Sequence, residues 1–372
     1  MSRHPRRPAP IAALAALLAT SCAAPPPAPP APVAAPVAAV PLPSPQFQRA
    51  IGLATAADIA QALDLLRTLP AADLTPSRAA ARQCILDRFG RDTPDDAGLA
   101  GLPPTGTAIA LAFRRYWHGP LTHNMTPEVA ETRWLAELAR VLPPTGAPAP
   151  DRAAEVEAAE HRVEGWARAN GLHALTGLTR PFHELMLWRS EQVRHEHVQL
   201  PESAIDVEVR LLDDFASLGW TAYATCDLAH TGGWADDDAI HALVGDTPVD
   251  SDAYRASLLA HEGQHMADHL RFPALDQPDL EYRAKLAELW ASRETTPKLL
   301  LAFTGGRKRD RALPHPFSDY WIVTRLRERL ATDDLLQAEP ERVRATAAAL
   351  LVEHSAALAR LGAGTATTAL PD

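Results

Sequence analysis

The sequence lacks several features that would assign it to a common functional class. No apolar run is long enough to cross a bilayer. Positive charge is scarce: 36 lysines and arginines face 46 acidic residues, and the formal net charge of −10 argues against nucleic acid as a partner. The one basic cluster, GGRKRDR at 305–311, lacks the Gly-Lys-Ser/Thr of a phosphate-binding loop and is typical of a solvated loop.

The first 22 residues predict a bacterial lipoprotein signal peptide. MSRHPRRPAP is a basic n-region, IAALAALLA is a short apolar run, and the end of the segment resembles a lipobox, with Ala19 where leucine is more usual. In this interpretation Cys22 receives the lipid, and Ala23 is no signal for retention in the inner membrane. We therefore expect an outer-membrane lipoprotein that faces the periplasm. The alternative is an ordinary cleaved signal peptide with an incidental cysteine.

Residues 23–45 form a low-complexity segment of alanine, proline and valine. Such a composition cannot bury a core and favours an extended polyproline conformation. We expect a semi-rigid tether that holds the rest of the chain away from a membrane surface. The remaining residues are enough for one large or two ordinary domains.

Cysteine is rare as well, with three residues in the whole chain. Besides Cys22, only Cys84 and Cys226 remain. An exported location permits a disulfide between these two, but two buried free thiols fit the sequence equally well.

Residues 46–200 are predicted to be helical. Apolar residues recur there at three- and four-residue spacing, and clusters of proline and glycine separate the segments. The predicted helices are AADIAQALDLLRTL, PSRAAARQCILDRF, TAIALAFRRYW, PEVAETRWLAELARVL and RAAEVEAAEHRVEGWARA.

Residues 201–372 have a different character, because strand patterns appear before further helices. AIDVEVRLLDDF alternates apolar and polar residues, with Ile205, Val207, Val209 and Leu211 on one face. GWTAYATCDLA is a second strand candidate, and WADDDAIHALVG contains a third after a TGG turn. We expect an α+β fold, mostly helical, in which a small sheet packs on the helices that follow.

The helix after these strands contains SLLAHEGQHMADHLRF at 257–272, with the pattern His261-Glu262-x-x-His265. Histidines four residues apart lie on one helical face, so both rings can reach one zinc ion. Glu262 is rotated by about 100° from His261, which places it beside the metal as a general base on a zinc-bound water. Leu259 and Leu270 mark a broad apolar side of this helix, which predicts that most of it is buried.

A catalytic zinc site needs one further protein ligand. The metzincin arrangement is excluded because Asp268 and Arg271 stand where it requires glycine and histidine. His269 shares the histidine stripe, but three ligands on one straight helix cannot converge on one ion. Glu281 and Glu288 on the next helix are the competing candidates. We favour Glu281, because the first turns after a tight connection lie closest to the preceding helix.

His261-Glu262-x-x-His265 followed by Glu281-Tyr-Arg-Ala-Lys285 resembles the gluzincin zinc metallopeptidases over roughly residues 200–300. The resemblance implies that 201–372 is a zincin-like metallopeptidase domain, that Glu281 is the third ligand, and that GGWADDDAIHALV is an edge strand that binds an extended peptide. Lys285 departs from the family, which usually has an aspartate there to orient a ligand histidine. Asp268 or Glu288 could serve instead.

The resemblance implies a zinc metallopeptidase that acts in the periplasm on peptide or protein substrates, with one zinc ion per chain. Such sites usually include a side chain that stabilises the developing oxyanion, and Tyr282, His315 and Tyr320 are the candidates.

Two other functional classes compete with a peptidase. In the first, zinc only joins two helices of a non-catalytic envelope lipoprotein with a scaffold or partner-binding role. In the second, the chain is a helical scaffold without a metal, and the histidines are core residues. Glu262 favours the enzyme over the first class, because a structural site has no use for an acid beside an open coordination position.

Overall fold

The computed structural model describes residues 44–371 except 237–238, 246–247 and 363–367. The predicted signal peptide, Cys22 and nearly all of the predicted tether lie outside the described residues. Within the described ranges, none of the helices combines the length and the apolar character needed to cross a bilayer.

Six helices open the described chain, and prolines at the first turn help to start several of them. The five helices predicted for this region are confirmed as α2–α6. Large aromatic side chains form their core: Trp134 packs 5.0 Å from both Phe113 and Tyr116, measured between ring centres. The helices are α1 (Pro45–Thr55), α2 (Ile59–Thr68), α3 (Pro76–Phe89), α4 (Pro104–Leu121), α5 (Pro127–Val141) and α6 (Arg152–Ala169).

The helical region ends at Ala169, so the predicted extension of helices to residue 200 is wrong. Three antiparallel strands follow instead: β1 (His173–Thr179), β2 (Phe182–Gln199) and β3 (Ala204–Leu218). The second half of β2 is mostly polar, so it lacks the apolar alternation that identifies a strand. Its pairing with β3 supplies the backbone hydrogen bonds. The boundary expected at 200/201 falls in the turn between these two paired strands.

The strand predicted from AIDVEVRLLDDF is confirmed as β3, with Val207, Val209 and Leu211 buried. GWTAYATCDLA is not a strand but a short helix, α7 (Gly219–Thr225). Gly219 has a φ of 92°, a left-handed conformation that ends β3 and that favours glycine.

Two short strands complete a mixed five-stranded sheet in the order β1-β2-β3-β5-β4. They are β4 (Gly233–Ala235) and β5 (Ala239–Leu243). β5 runs parallel to β3, whereas β4 is antiparallel to β5 and lies at the edge of the sheet. The third predicted strand is thus present as a pair of strands.

Cys84 and Cys226 form a disulfide, which resolves the choice left open by the sequence. Cys84 lies in α3, and Cys226 directly follows α7. The bond therefore ties the N-terminal helices to the element that continues β3.

The C-terminal part is helical and begins with a π-helix over Tyr254–Ala260 that runs directly into α8 (His261–Arg271). Gly263 lets α8 lie close to the sheet, since a Cβ there would be 3.3 Å from Val198 Cγ1. Four helices follow: α9 (Gln277–Ala291), α10 (Thr296–Gly306), α11 (Pro314–Leu330) and α12 (Pro340–Leu361).

Helix α9 is the centre of this part, because every residue from Pro278 to Leu289 is buried. Asp276 caps its N-terminus by accepting a hydrogen bond from the backbone N–H of Asp279 at 3.3 Å. Neighbouring helices therefore surround α9 on all sides, including its charged residues.

Glu184 in β2 is a carboxylic acid buried at the start of α7. Its Oε1 accepts hydrogen bonds from the backbone N–H groups of Trp220 at 2.7 Å and Leu185 at 3.3 Å. Burial outweighs these bonds and raises the pKa of Glu184 to about 7. Between pH 4.5 and about 7, Glu184 is therefore mostly protonated in the folded protein, whereas it is mostly ionised in the unfolded chain.

We predict that this acid makes the protein less stable as the pH rises. Its contribution is complete below the unfolded pKa of 4.5 and is lost as the pH passes about 7. Between pH 5 and 8 the loss should be about 2–3 kcal/mol in the free energy of unfolding. Urea unfolding of the parent and of Glu184→Gln at both pH values tests this. If the free energy of unfolding changes by the same amount from pH 5 to pH 8 in both proteins, the prediction is wrong.

Candidate metal centre and its cleft

His261 and His265 bring their rings together on α8. Their Nε2 atoms lie 3.2 Å apart, and the ring centres are 4.9 Å apart. The π-helix ends directly before His261, and such irregular turns are frequent at functional sites. The predicted convergence of the two histidines is therefore present in the structure.

Glu281 of α9 faces both rings. Its Oε1 lies 3.6 Å from His265 Nε2, and its Oε2 lies 3.7 Å from His261 Nε2. Oε2 is buried and no hydrogen bond of good geometry reaches it, although His315 Nδ1 lies 2.9 Å away. A buried carboxylate oxygen without such a bond is costly unless a cation satisfies it.

The three side chains fit a zinc ion. Ligand bonds of about 2.0–2.1 Å in a tetrahedron place neighbouring donor atoms about 3.3 Å apart. The two Nε2 atoms, 3.2 Å apart, are close to this value. They lie 3.6 and 3.7 Å from different oxygens of the Glu281 carboxylate, and one donor atom from each residue can be chosen so that all three lie within 4.8 Å of one another. Two imidazoles and one carboxylate are also a donor set of catalytic zinc sites, with one coordination position left for water or substrate.

Glu288 approaches His261 from the other side of the ring. Its Oε2 lies 3.5 Å from His261 Nδ1, whereas Glu281 is near Nε2. The two glutamates that competed for the ligand position are thus at opposite nitrogens of one imidazole. A carboxylate near the second nitrogen of a ligand histidine fixes its tautomer and orientation.

Asp268, the other carboxylate considered for that orienting role, is engaged elsewhere. It accepts a hydrogen bond from Arg283 Nε at 2.8 Å and one from Gln264 Nε2 at 2.9 Å. Both Asp268 and Arg283 are fully buried, so this pair joins α8 to α9 below the histidines. Asp268 therefore fixes the spacing of the two helices.

Lys285 does not contact a ligand histidine, as the aspartate implied at its position by the resemblance would; it binds residues of α11 instead. Its Nζ lies 2.6 Å from Asp319 Oδ1 and donates to the backbone oxygen of His315 at 3.0 Å. Both charged groups are buried. They hold the first turn of α11 against α9, which places the His315 ring beside Glu281. The sequence did not reveal Asp319, since its partner is 34 residues away and no spacing rule links them.

The three candidates for an oxyanion stabiliser have different positions. His315 lies at the site, as described. The prediction for Tyr282 is wrong, because this side chain points into the core between α9 and α12. Its ring centre lies 5.1 Å from that of His354. Tyr320 contacts Trp321 and lies beneath the Arg309 guanidinium, so no described contact brings it to the two histidines.

The charges of the site suit a cation. Burial, together with His261, lowers the pKa of His265 to about 3, so this ring is neutral at pH 7. Burial also disfavours the charged form of His261, but the carboxylates of Glu288, Glu262 and Glu281 raise its pKa overall. The pKa of Glu281 falls to about 2 despite burial, because His315 and the two histidines favour the carboxylate. Neutral imidazole and ionised carboxylate are the states that bind metal, so His265 and Glu281 are ready to bind, whereas the raised pKa of His261 means that a metal ion must displace its proton.

Glu262 lines a cleft of about 340 Å³ together with His265 and Glu281. Burial raises the pKa of Glu262, with Glu281 and Glu288 adding to the effect against the opposing charge of His261. Ala235 and Asp236, at the end of the edge strand β4, form the opposite wall, and the cleft also borders His269 and Met266 of α8. Glu262 thus lies beside the three converging side chains without being one of them.

Leu270 also lines the cleft, contrary to the prediction that it packs on the apolar side of α8. Its side chain is 80% exposed, because α8 ends one residue later, at Arg271. At this end of the helix the described residues leave the Leu270 side chain largely uncovered. The result is an exposed apolar side chain that lines the cleft.

No protein-family model, curated protein or solved structure matches this chain. The geometry of the site unites five residues named from the sequence: His261, Glu262, His265, Glu281 and His315.

We predict that Glu281→Ala weakens zinc binding more than Glu288→Ala does. The first variant removes a donor atom, whereas the second removes only a carboxylate behind His261, a change that typically costs about 10- to 100-fold in affinity. Competition with a chromogenic chelator measures both affinities. Glu294→Ala, at an exposed position just beyond α9, is the matched control and should bind zinc like the parent. The reverse ranking of Glu281 and Glu288 would contradict the assignment.

Proposed function

We propose that the protein is a zinc-dependent metallopeptidase of the gluzincin type. His261, His265 and Glu281 would hold one zinc ion per chain, and Glu262 would act as the general base. The observation that carries the proposal is the convergence of two imidazoles and one carboxylate, whose donor atoms lie within 4.8 Å of one another, beside a cleft that contains the Glu262 carboxylate. When bound, zinc would polarise the substrate carbonyl and make a nearby water a better nucleophile.

Glu262 supplies the proton transfers in this proposal. Its carboxylate lines the same cleft as His265 and Glu281. Glu262 follows His261 by one residue, a rotation of about 100° around the helix, so its carboxylate would face the water and the substrate and not the metal. There it accepts a proton from the attacking water and passes it to the leaving amine. Glu288 keeps His261 Nδ1 protonated and leaves Nε2 as the donor to the metal.

His315 is the proposed stabiliser of the oxyanion. Its ring is 65% exposed at the edge of the site, yet its Nδ1 lies 2.9 Å from Glu281 Oε2. A carboxylate only accepts, so Nδ1 is the donor in this contact. The proposed role therefore requires the protonated ring, whose Nε2–H would donate to a substrate oxygen. Lys285 holds the backbone of His315, so the ring enters the site from a fixed turn of α11.

An extended peptide is the proposed substrate, because the cleft meets an edge strand. β4 lies at the sheet edge, and its last residue, Ala235, forms a wall of the cleft. A peptide can add to such an edge through main-chain hydrogen bonds while alternate side chains enter pockets. Met266 and Leu270 give the cleft an apolar side, which would receive an apolar side chain of the substrate.

The cleft also bears on the non-catalytic alternative. A structural zinc site is closed by four protein ligands. Here three donors converge, and Glu262 lies beside them in the cleft, whose volume is about 340 Å³. These observations favour an enzyme over a zinc-stapled scaffold.

Glu262→Gln tests the mechanism. The variant should keep one zinc per chain and the parent's fold, since the side chain is no ligand and keeps its size. Hydrolysis should fall by about 10²- to 10⁴-fold, the usual contribution of a general base. Cleavage of a denatured protein mixture, read as new N-termini by mass spectrometry, provides the assay, with exposed Glu294→Gln as the control. Cleavage by Glu262→Gln at the parent's rate would refute the peptidase mechanism.

We propose in addition that the protein is a lipoprotein of the outer membrane, anchored through Cys22 and facing the periplasm. The support is the lipobox-like sequence and the alanine- and proline-rich segment after it. Cys22→Ala should move the protein from the membrane fraction to the soluble periplasmic fraction, as measured by fractionation and immunoblotting. Continued membrane association of a soluble, folded variant would exclude this anchor.

A further inference from the structure

A second pocket lies away from the zinc ligands, between the N-terminal helices and the end of β3. It has a volume of about 210 Å³. Arg88 from the last turn of α3 and Arg114 from α4 line it, together with Tyr223 of α7. Trp117 and Phe215 give it apolar walls. None of these residues takes part in the proposed peptidase site.

The two arginines share one aromatic ring. The guanidinium carbons of Arg88 and Arg114 lie 4.9 and 5.9 Å from the centre of the Tyr223 ring. Burial lowers the pKa of Arg114, and the nearby positive charge of Arg88 lowers it further. Two like charges thus contact the same aromatic ring in a partly desolvated place, which is unfavourable unless a negative charge joins them.

Carboxylates of the protein do not fully supply that negative charge. Arg88 has no carboxylate within 4.0 Å in the described part of the chain; its Nη1 donates to the backbone oxygen of Tyr223, and its Nε is buried without a partner. Arg114 donates to the backbone oxygen of Asp95, whose carboxylate is 3.7 Å away and also serves Arg91. Among the lining residues, two arginines face one aspartate, the exposed Asp227.

The pocket is also held in a fixed shape. Cys84 lies one helical turn before Arg88, and its disulfide partner Cys226 directly follows α7 and precedes Asp227. The disulfide therefore fixes α3 against α7, and with them Arg88 against Tyr223. A preformed pair of guanidinium groups is a geometry that binds carboxylate or phosphate through paired N–H donors.

We propose that this pocket binds a small anion bearing a carboxylate or phosphate group, held between the guanidinium groups of Arg88 and Arg114. The volume suits an anion of the size of phosphate or of a four-carbon dicarboxylate. Trp117 and Phe215 displace water from part of the pocket, which strengthens the bonds of the ion to the two arginines. The proposed ligand acts at a site separate from the zinc ligands, so this inference does not depend on the peptidase proposal.

Isothermal titration of the full chain with inorganic phosphate and with succinate, at constant ionic strength, tests the proposal. The parent should bind at least one of them and should melt at a higher temperature in its presence. Arg88→Met keeps an unbranched side chain but loses the charged donors, so the affinity should fall by about tenfold or more. Arg67→Met, which changes an exposed arginine on α2, should bind like the parent.

Two further variants remove the remaining ambiguities. His261→Ala, treated with a chelator, should bind the anion as tightly as the parent; loss of binding there would place the anion at the metal centre and overturn the proposal. If Arg88→Met does not fold, Arg88→Lys keeps the charge but not the paired donors, and several-fold weaker binding is expected. Binding of neither probe by the parent, or unchanged affinity in the folded Arg88 variant, would also overturn it.

Discussion

The burial of α9 is the constraint on which the C-terminal half of the structure depends. This helix is covered on every side, yet it carries five charged residues at positions 279, 281, 283, 285 and 288. An unpaired ion in such a place costs several kcal/mol. Each charge therefore requires a partner from another element. Pairing all five charges determines which helices pack around α9 and where along its axis each of them lies.

The helical period distributes these partners around α9. Glu281 and Glu288 are two turns apart and face α8, where both meet His261. Arg283 meets Asp268 of α8 and also donates to Ser355 of α12 at 2.8 Å, so it lies between two helices. The candidate metal centre is thus one part of a charge network that also holds the fold together. A change in one of these residues affects the position of the others.

The sequence predicted the parts of the site that follow from local periodicity. His261 and His265 share a face because they are four residues apart, and the connection after α8 was short enough to favour Glu281. It did not predict β2, because the polar half of that strand is stabilised by its hydrogen bonds to β3 and not by an apolar face of its own. The sequence also did not predict that Leu270 is exposed. Apolar periodicity identifies the face of a helix that packs on its neighbours, but not how far along the helix those neighbours extend.

Lys285 shows how the departure from the expected pattern can be accommodated. The resemblance implies an aspartate there, directed at a ligand histidine. Glu288 is three residues further on the same face of α9, and its carboxylate lies 3.5 Å from His261 Nδ1. A longer acid one turn away can therefore take over the orienting contact. Position 285 is then free to carry a cation that binds Asp319 and the His315 backbone, so the same helix that supplies a metal ligand also fixes the turn of α11 beside it.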